Sequence, residues 1–488
     1  MKPLHLVLLL SLGAVACTGD PEVTDKQTPT GTDPTTFPTV TTPTPTDTTS
    51  VTDGAWWVRD FDFHVHDSVN SLVYVTWDQQ YARPAHVEFS IDEGEWLSTP
   101  SVDRAVGPNE QLVVGVPYDT DAQWRVVIDG EDLEPFDGGT LHTGILSPAF
   151  PRGQLIPAAN DPSAWQPGDR YLLTSISQDP NDWGGGWYWA YIMDRKARVV
   201  WAQRAPDQHW TLFAQVAQSG DHLLIDESTA WADFDEGRDS VVHRTWLDQE
   251  IEAVATPGLH HEFVQLPDGT LAWGSQAHGG GEALCTKAPG AAEEEVIWTV
   301  TEDWPQGQGG WGGPESNGMF YDADTDTFLY SWYTNNSIVE VDHATGTSLW
   351  WAGDASGGYD FVPASSQYAW QHGISYTDAG TLLVSSEYRP PSGGPTHTWL
   401  LEYEVDHTNH QLRLVWSNDS GARADTNGQA WRLANGNTLH VVGSAGVVRE
   451  VGPDDRDVWR VEYGNHYLLG HGQFIDDLYA LVKPADAP

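Results

Sequence analysis

The sequence predicts an all-β protein: a six-bladed β-propeller preceded by a small immunoglobulin-like β-sandwich. Three observations carry this. A strand–turn–strand frame recurs from about residue 165 onward. The segment before it shows period-two apolar alternation. The composition combines 25 Trp and 17 Tyr with many β-branched residues, side chains that suit a pleated, half-buried surface better than a helix.

The frame is clearest in three stretches, headed by His261, His372 and Gly428. Each runs as a strand to a turn glycine eight residues on (Gly269, Gly380 and Gly436), followed by a second strand ending the frame near Leu271, Leu382 and Leu439. Looser copies occupy residues 213–225, turning at Ser219-Gly220-Asp221, and 319–330, turning at Asp322-Ala323-Asp324. Further hairpins that end in an aromatic follow: 339–342 with Trp350, 401–405 with Trp416, and 448–451 with Trp459. Residues 190–194 with Trp201 end the first unit. Six units of roughly 35–55 residues, four strands each, have the period of propeller blades. The propeller is therefore expected over 151–488.

Residues 55–150 alternate with period two at 72–77, 85–90, 111–116 and 123–128, with turns at Asp92-Glu93-Gly94 and Asp129-Gly130. Short strands at this spacing read as the sandwich. Residues 17–54 are mostly Thr, Pro, Asp and Ser, too polar to bury a core, and read as a disordered tether. At the start, Lys2 precedes the apolar run 6–12, too short to span a bilayer, which leads to Ala14-Val15-Ala16-Cys17. This resembles the lipobox of bacterial lipoproteins. The resemblance implies a signal peptide over 1–16 and lipidation of Cys17, hence a lipid anchor in the bacterial cell envelope. Thr18, in place of the aspartate that retains lipoproteins at the inner membrane, favours the outer membrane or cell surface. With Cys17 lipidated, Cys285 has no partner for a disulfide.

The chain carries 23 basic against 70 acidic residues, a net charge of −47. Residues 1–54 hold two Lys and six acids, which leaves −43 on the remainder. Such a field excludes binding to nucleic acid or anionic lipid through general electrostatics. It also means that a site for an anionic substrate must supply its own local donors.

The inner strand of a propeller blade aims its leading residues at the central channel. Those heads are His260-His261 in the third unit, Glu315-Ser316-Asn317-Gly318 in the fourth, Trp370-Gln371-His372-Gly373 in the fifth and Gln429 in the sixth. Polar and titratable heads converging on one axis form a candidate site. The segment Trp370-Gln371-His372 resembles the Trp-(Thr)-Gln-His stretch of bacterial arylsulfotransferases. His260-His261-Glu262 with Leu266-Pro267-Asp268-Gly269 resembles that family's His-His-Asp…Leu-Pro-Asn-Gly. The run 315–329 resembles its His-x-Asn-Ser…Tyr-Asp…Asp-Ser-Ile-Leu.

The resemblance implies transfer of a sulfuryl group from an aryl sulfate to a phenol, independent of PAPS. His372 would be the covalent carrier, with His261 donating to the sulfuryl oxygens. Glu315 stands where the family has a histidine, and could orient an imidazole as a triad acid does. His260, Asn317, Tyr333, Gln371 and Arg389 complete the expected substrate-binding set. Tyr333 lies in the stretch where the family carries an arginine, whose charge Arg389 or Arg423 would have to replace. The alternative reading is a non-catalytic propeller that holds an aromatic or carbohydrate ligand at its channel mouth. No cofactor and no metal are expected; the alternating carboxylates Asp322, Asp324 and Asp326 resemble a calcium loop but fall on a hairpin turn.

Overall fold

In the computed structural model the described residues are 57–130, 134–177, 187–207, 209–229, 240–278, 282–304, 315–388, 395–464 and 467–484. Cys17, the tether, Arg389 and the glycine runs 184–186, 279–281 and 309–313 lie outside them. Strand dominates what is described, and the longest helix is the single turn Val300–Asp303. No helix among these residues is long and apolar enough to cross a membrane.

Among the described residues six sheets of four or five strands follow one another along the chain, antiparallel throughout except where Asp360–Val362 runs parallel to Gln411–Asp419. The third is Leu259–Gln265, Leu271–Ser275, Ala283–Lys287 and Glu295–Thr299; the fourth is Ser316–Asp322, Thr327–Trp332, Ser337–Asp342 and Ser348–Ala352. The fifth begins with Ala369–Tyr376 and Leu382–Tyr388, the sixth with Gln429–Arg432 and Thr438–Val442. The turns between the leading strand pairs use the expected glycines in the left-handed region, with φ of +88° at Gly269, +76° at Gly380 and +87° at Gly436.

The first sheet is assembled differently. Tyr171–Ser177, Tyr188–Asp194 and Val199–Arg204 are local, but the innermost strand is Leu468–Ile475 from the end of the chain. Conversely, Gln154–Leu155 adds to the outer edge of the sixth sheet beside Val461 and Glu462. Two long-range pairings thus stitch the first and sixth sheets together. Arg195 of the first sheet also reaches Glu450 of the sixth, Nη1 to Oε2 at 2.7 Å, with both side chains buried and the guanidinium 3.8 Å from the Phe474 ring centroid. The inner strands are neighbours in the order first to sixth and back to the first.

The sheets hold together by aromatic burial. Trp201, Trp210, Trp273, Trp298, Trp332, Trp350 and Trp459 are all at most 2% exposed. Each such ring removes on the order of 200 Å² from water, about 5 kcal/mol before entropy is counted. Cys285 is a buried free thiol.

Residues 58–142 form two further sheets around one core, which includes Val73, Val75, Trp77, Phe89, Trp124 and Leu141. The strand expected at 111–116 instead runs Gly107–Val113. Val114 and Val116 are apolar for another reason: Val114 packs into the core around the first of the six sheets and Val116 into that of the two-sheet body.

Candidate active site

A regular strand would send His260 and His261 to opposite faces. The pairing of Leu259–Gln265 with Leu271–Ser275 shifts register between Leu259 and Phe263. The two imidazoles therefore meet edge to face, ring centroids 4.9 Å apart, with Nδ1 to Nδ1 at 2.7 Å. The same irregularity recurs at the head of the fourth sheet, between Ser316 and Gly318, and of the fifth, between Ala369 and Gly373. In the fifth, Trp370 adopts φ of +57°. Bulges re-aim side chains, and here they do so at the leading ends of three adjacent inner strands.

A carboxylate anchors the histidine pair. Glu282, fully buried at the start of the third sheet's third strand, accepts from His260 Nε2–H at 3.0 Å and 3.2 Å through its two oxygens. Its Oε1 also accepts from the Ser316 hydroxyl at 2.7 Å and from the Tyr330 hydroxyl. A carboxylate fixes the tautomer of the imidazole it receives from. With His260 neutral, its Nδ1 accepts from His261 Nδ1–H, and His261 Nε2 keeps its lone pair. Burial, followed by the neighbouring His260, His372 and His471, holds His261 well below the usual imidazole range. Glu315 comes to the same place: one donor atom from each of His260, His261 and Glu315 lies within 4.8 Å of the others. Burial raises the Glu315 carboxyl, an effect opposed by His260 and reinforced by Glu282.

His372 is 5% exposed, and its Nδ1–H donates to the Trp370 carbonyl at 3.0 Å. Nε2 is then the lone-pair nitrogen. Burial lowers its pKa to about 4, so the ring is neutral at neutral pH. The Tyr333 ring packs 4.9 Å from His372 and 5.6 Å from Trp370, centroid to centroid. Burial and the carboxylates of Glu315, Glu387 and Asp425 raise the Tyr333 phenol, so it keeps its proton.

The remaining expected residues are distributed unevenly. Asn317 is buried and accepts from the Ser331 hydroxyl at 2.9 Å, while its Nδ2 has no hydrogen-bond partner among the described residues. Gln371 is fully buried and donates to the carbonyls of Ser337 (3.1 Å) and Trp332 (3.4 Å), tying the fifth sheet to the fourth. Arg423 pairs with Glu387 at 2.9 Å and Asp425 at 2.8 Å. Asp326 accepts from the Tyr321 hydroxyl at 2.7 Å and lies 2.8 Å from His343 Nδ1, on the hairpin turn the repeat demands. Sequence reasoning missed Glu282 and His471. His471 Nδ1 lies 3.2 Å from Glu262 Oε1, whose other oxygen accepts from the Met319 N–H at 2.6 Å. The available signal for His471 was its setting, Gly470-His471-Gly472, on a strand too distant in sequence to be recognised as belonging to the frame.

No family model matches this chain, and no curated protein matches it. It is similar to solved structures at low identity. A protein of unknown function from Bacteroides caccae shares 13% identity, covering 60% of this chain and 94% of that one, with a TM-score of 0.40. The β-propeller domain of Myceliophteria thermophila Cps50 (Swd1) shares 13%, covering 63% and 90%, with a TM-score of 0.36. A streptogramin B lyase shares 10%, covering 59% and 87%, with a TM-score of 0.33. At such values the chemistry has to be argued from this chain's own residues.

Proposed function

We propose that the six sheets are the blades of one closed propeller behind an immunoglobulin-like sandwich, and that its channel mouth transfers sulfuryl groups from aryl sulfates to phenols through His372. The observation that carries this reading is the state of His372: neutral, its Nδ1–H tied to the Trp370 carbonyl, its Nε2 left as the nucleophile. The Nε2 lone pair attacks sulfur, the sulfur–aryl oxygen bond breaks with its electrons going to oxygen, and the phenolate takes up a proton. Tyr333, protonated and packed on His372, offers a proton donor for that step. In the second half the acceptor phenol gives its proton to the Tyr333 phenolate, its oxygen bonds to sulfur as the sulfur–Nε2 bond breaks, and Nε2 regains the lone pair.

Incubation with a chromogenic aryl sulfate and a phenol acceptor tests the reading. Phenol release by wild type, its loss in His372→Ala, and an SO3 adduct on the His372 peptide without acceptor are the expected results. No turnover in wild type, together with saturable binding of uncharged aromatics, would establish the non-catalytic alternative. Trp370, 38% exposed beside Tyr333, is the feature that favours that second reading. We further propose that Cys17 is lipidated and holds the protein in the bacterial envelope; mass spectrometry of processed protein with an unmodified Cys17 would refute this.

A further inference from the structure

We infer that His260, His261 and Glu315 form a binding site for a divalent first-row transition metal of the zinc class. The donor set is two imidazoles and a carboxylate, a combination that suits zinc and its neighbours and not calcium or magnesium, which take oxygen ligands. One donor atom from each residue lies within 4.8 Å of the other two, and both histidines are buried.

The second observation is independent of that clustering. Metal-ligating histidines characteristically donate their other ring N–H to a carboxylate, which fixes the tautomer and aims the lone pair. His260 Nε2–H does this to Glu282, itself held by the hydroxyls of Ser316 and Tyr330. His260 Nδ1 is thereby left as the lone-pair nitrogen, 2.7 Å from His261 Nδ1. Four elements across two sheets build this support, an investment that a simple histidine–histidine contact does not require.

The geometry needs one adjustment. Two nitrogens bound at about 2.0–2.1 Å to a tetrahedral ion sit about 3.4 Å apart. The Nδ1 atoms are 2.7 Å apart, so the pair opens by about 0.7 Å, within reach of a modest ring rotation. The ion takes the place of the proton now held between the two rings, and that proton moves to His261 Nε2, so both rings stay neutral. Three protein ligands leave a fourth position open, the arrangement of catalytic zinc rather than structural zinc. An ion here also changes the local electrostatics: the Glu315 carboxylate becomes a ligand to a cation instead of a bare repulsive charge.

The site does not rest on sulfuryl transfer, and its test reads metal rather than activity. Full-length protein is stripped with chelator, then titrated at neutral pH with Zn2+ by calorimetry and with Co2+ by visible absorption. We expect one ion per chain, cobalt bands of four-coordinate intensity, and at least tenfold weaker binding in Glu315→Gln and in His260→Asn. Circular dichroism of each variant confirms that the fold is kept. Glu282→Gln, which keeps the volume but weakens the support of His260, should weaken binding to an intermediate degree. His372→Ala should still bind the ion, even though it abolishes transfer. Stoichiometric binding unchanged in Glu315→Gln and His260→Asn, or no binding by wild type, overturns the proposal.

Discussion

Removal of the titrating group at position 372 should make the protein more resistant to mild acid. The His372 pKa is lowered from 6.5 to about 4 by burial. The folded state therefore takes up this proton later than the unfolded chain does, so stability is intact above pH 6.5, falls as pH drops towards 4, and levels off below that. With those two values the loss between pH 7.5 and pH 5 is about 2 kcal/mol. His372→Asn keeps an N–H donor for the Trp370 carbonyl, because its amide nitrogen takes the Nδ1 position, but has nothing to titrate. Urea unfolding of both proteins, in chelator so that no ion contributes, gives the comparison. Of the other buried imidazoles, which both proteins share, His261 is itself lowered in part by His372, so its coupling adds to the difference in the same direction. Wild type should lose about 2 kcal/mol more than His372→Asn over this interval. Parallel stability profiles would refute the buried, neutral state on which the nucleophile argument depends.

Gly470→Ala should abolish folding: its Cβ would lie 1.6 Å from the Leu212 carbonyl oxygen and 2.1 Å from Ser175 Oγ, where the closing strand meets the second sheet. Gly220→Ala, in open space with φ of +76°, should cost only about 1 kcal/mol, measured by thermal unfolding. If an aryl sulfate is the donor, kcat/KM should rise several-fold as salt is raised from about 0.01 M to 0.15 M, because the screening length falls from about 30 Å to 8 Å and the charge of −47 is masked. A fall in kcat/KM over that range would show that anions are attracted to the mouth.

The repeat was readable because its signal is local. A turn glycine eight residues after the head and an aromatic at the end of the second hairpin each lie within a single sheet, and the third, fifth and sixth sheets carry the pattern plainly. The composition of the first sheet was not readable, because pairing Tyr171 with Ile475 leaves no mark near either residue. Within the site, the clustering of His260, His261 and Glu315 follows from the frame: the residues stand at equivalent positions at the heads of neighbouring strands. The direct contact of two adjacent histidines does not follow, since it depends on a bulge that strict alternation forbids. Glu282 follows a glycine run and heads the third strand of its sheet; nothing in its sequence context marks it as the residue that orients His260.

The charge of the site decides between its possible ligands. His261, His372 and His471 are all shifted towards the neutral form by burial, so at neutral pH they carry no positive charge, and the single N–H of His261 and of His372 is already given to His260 and to the Trp370 carbonyl. Arg423 is already flanked by two carboxylates, those of Glu387 and Asp425. Glu315, Glu387 and Asp425 surround the Tyr333 phenol with negative potential. Among the described residues, then, an anionic sulfate ester meets neutral imidazoles and acidic neighbours. Burial of a charge without a compensating partner is too costly for a working site. Three resolutions satisfy this constraint: a cation held by His260, His261 and Glu315, which would balance the ester, an arginine outside the described residues, or an uncharged aromatic ligand stacked on Trp370 and Tyr333, which needs no cation. An enzyme acting on aryl sulfates therefore requires a metal, or an arginine beyond the described residues, whereas a binding module requires neither.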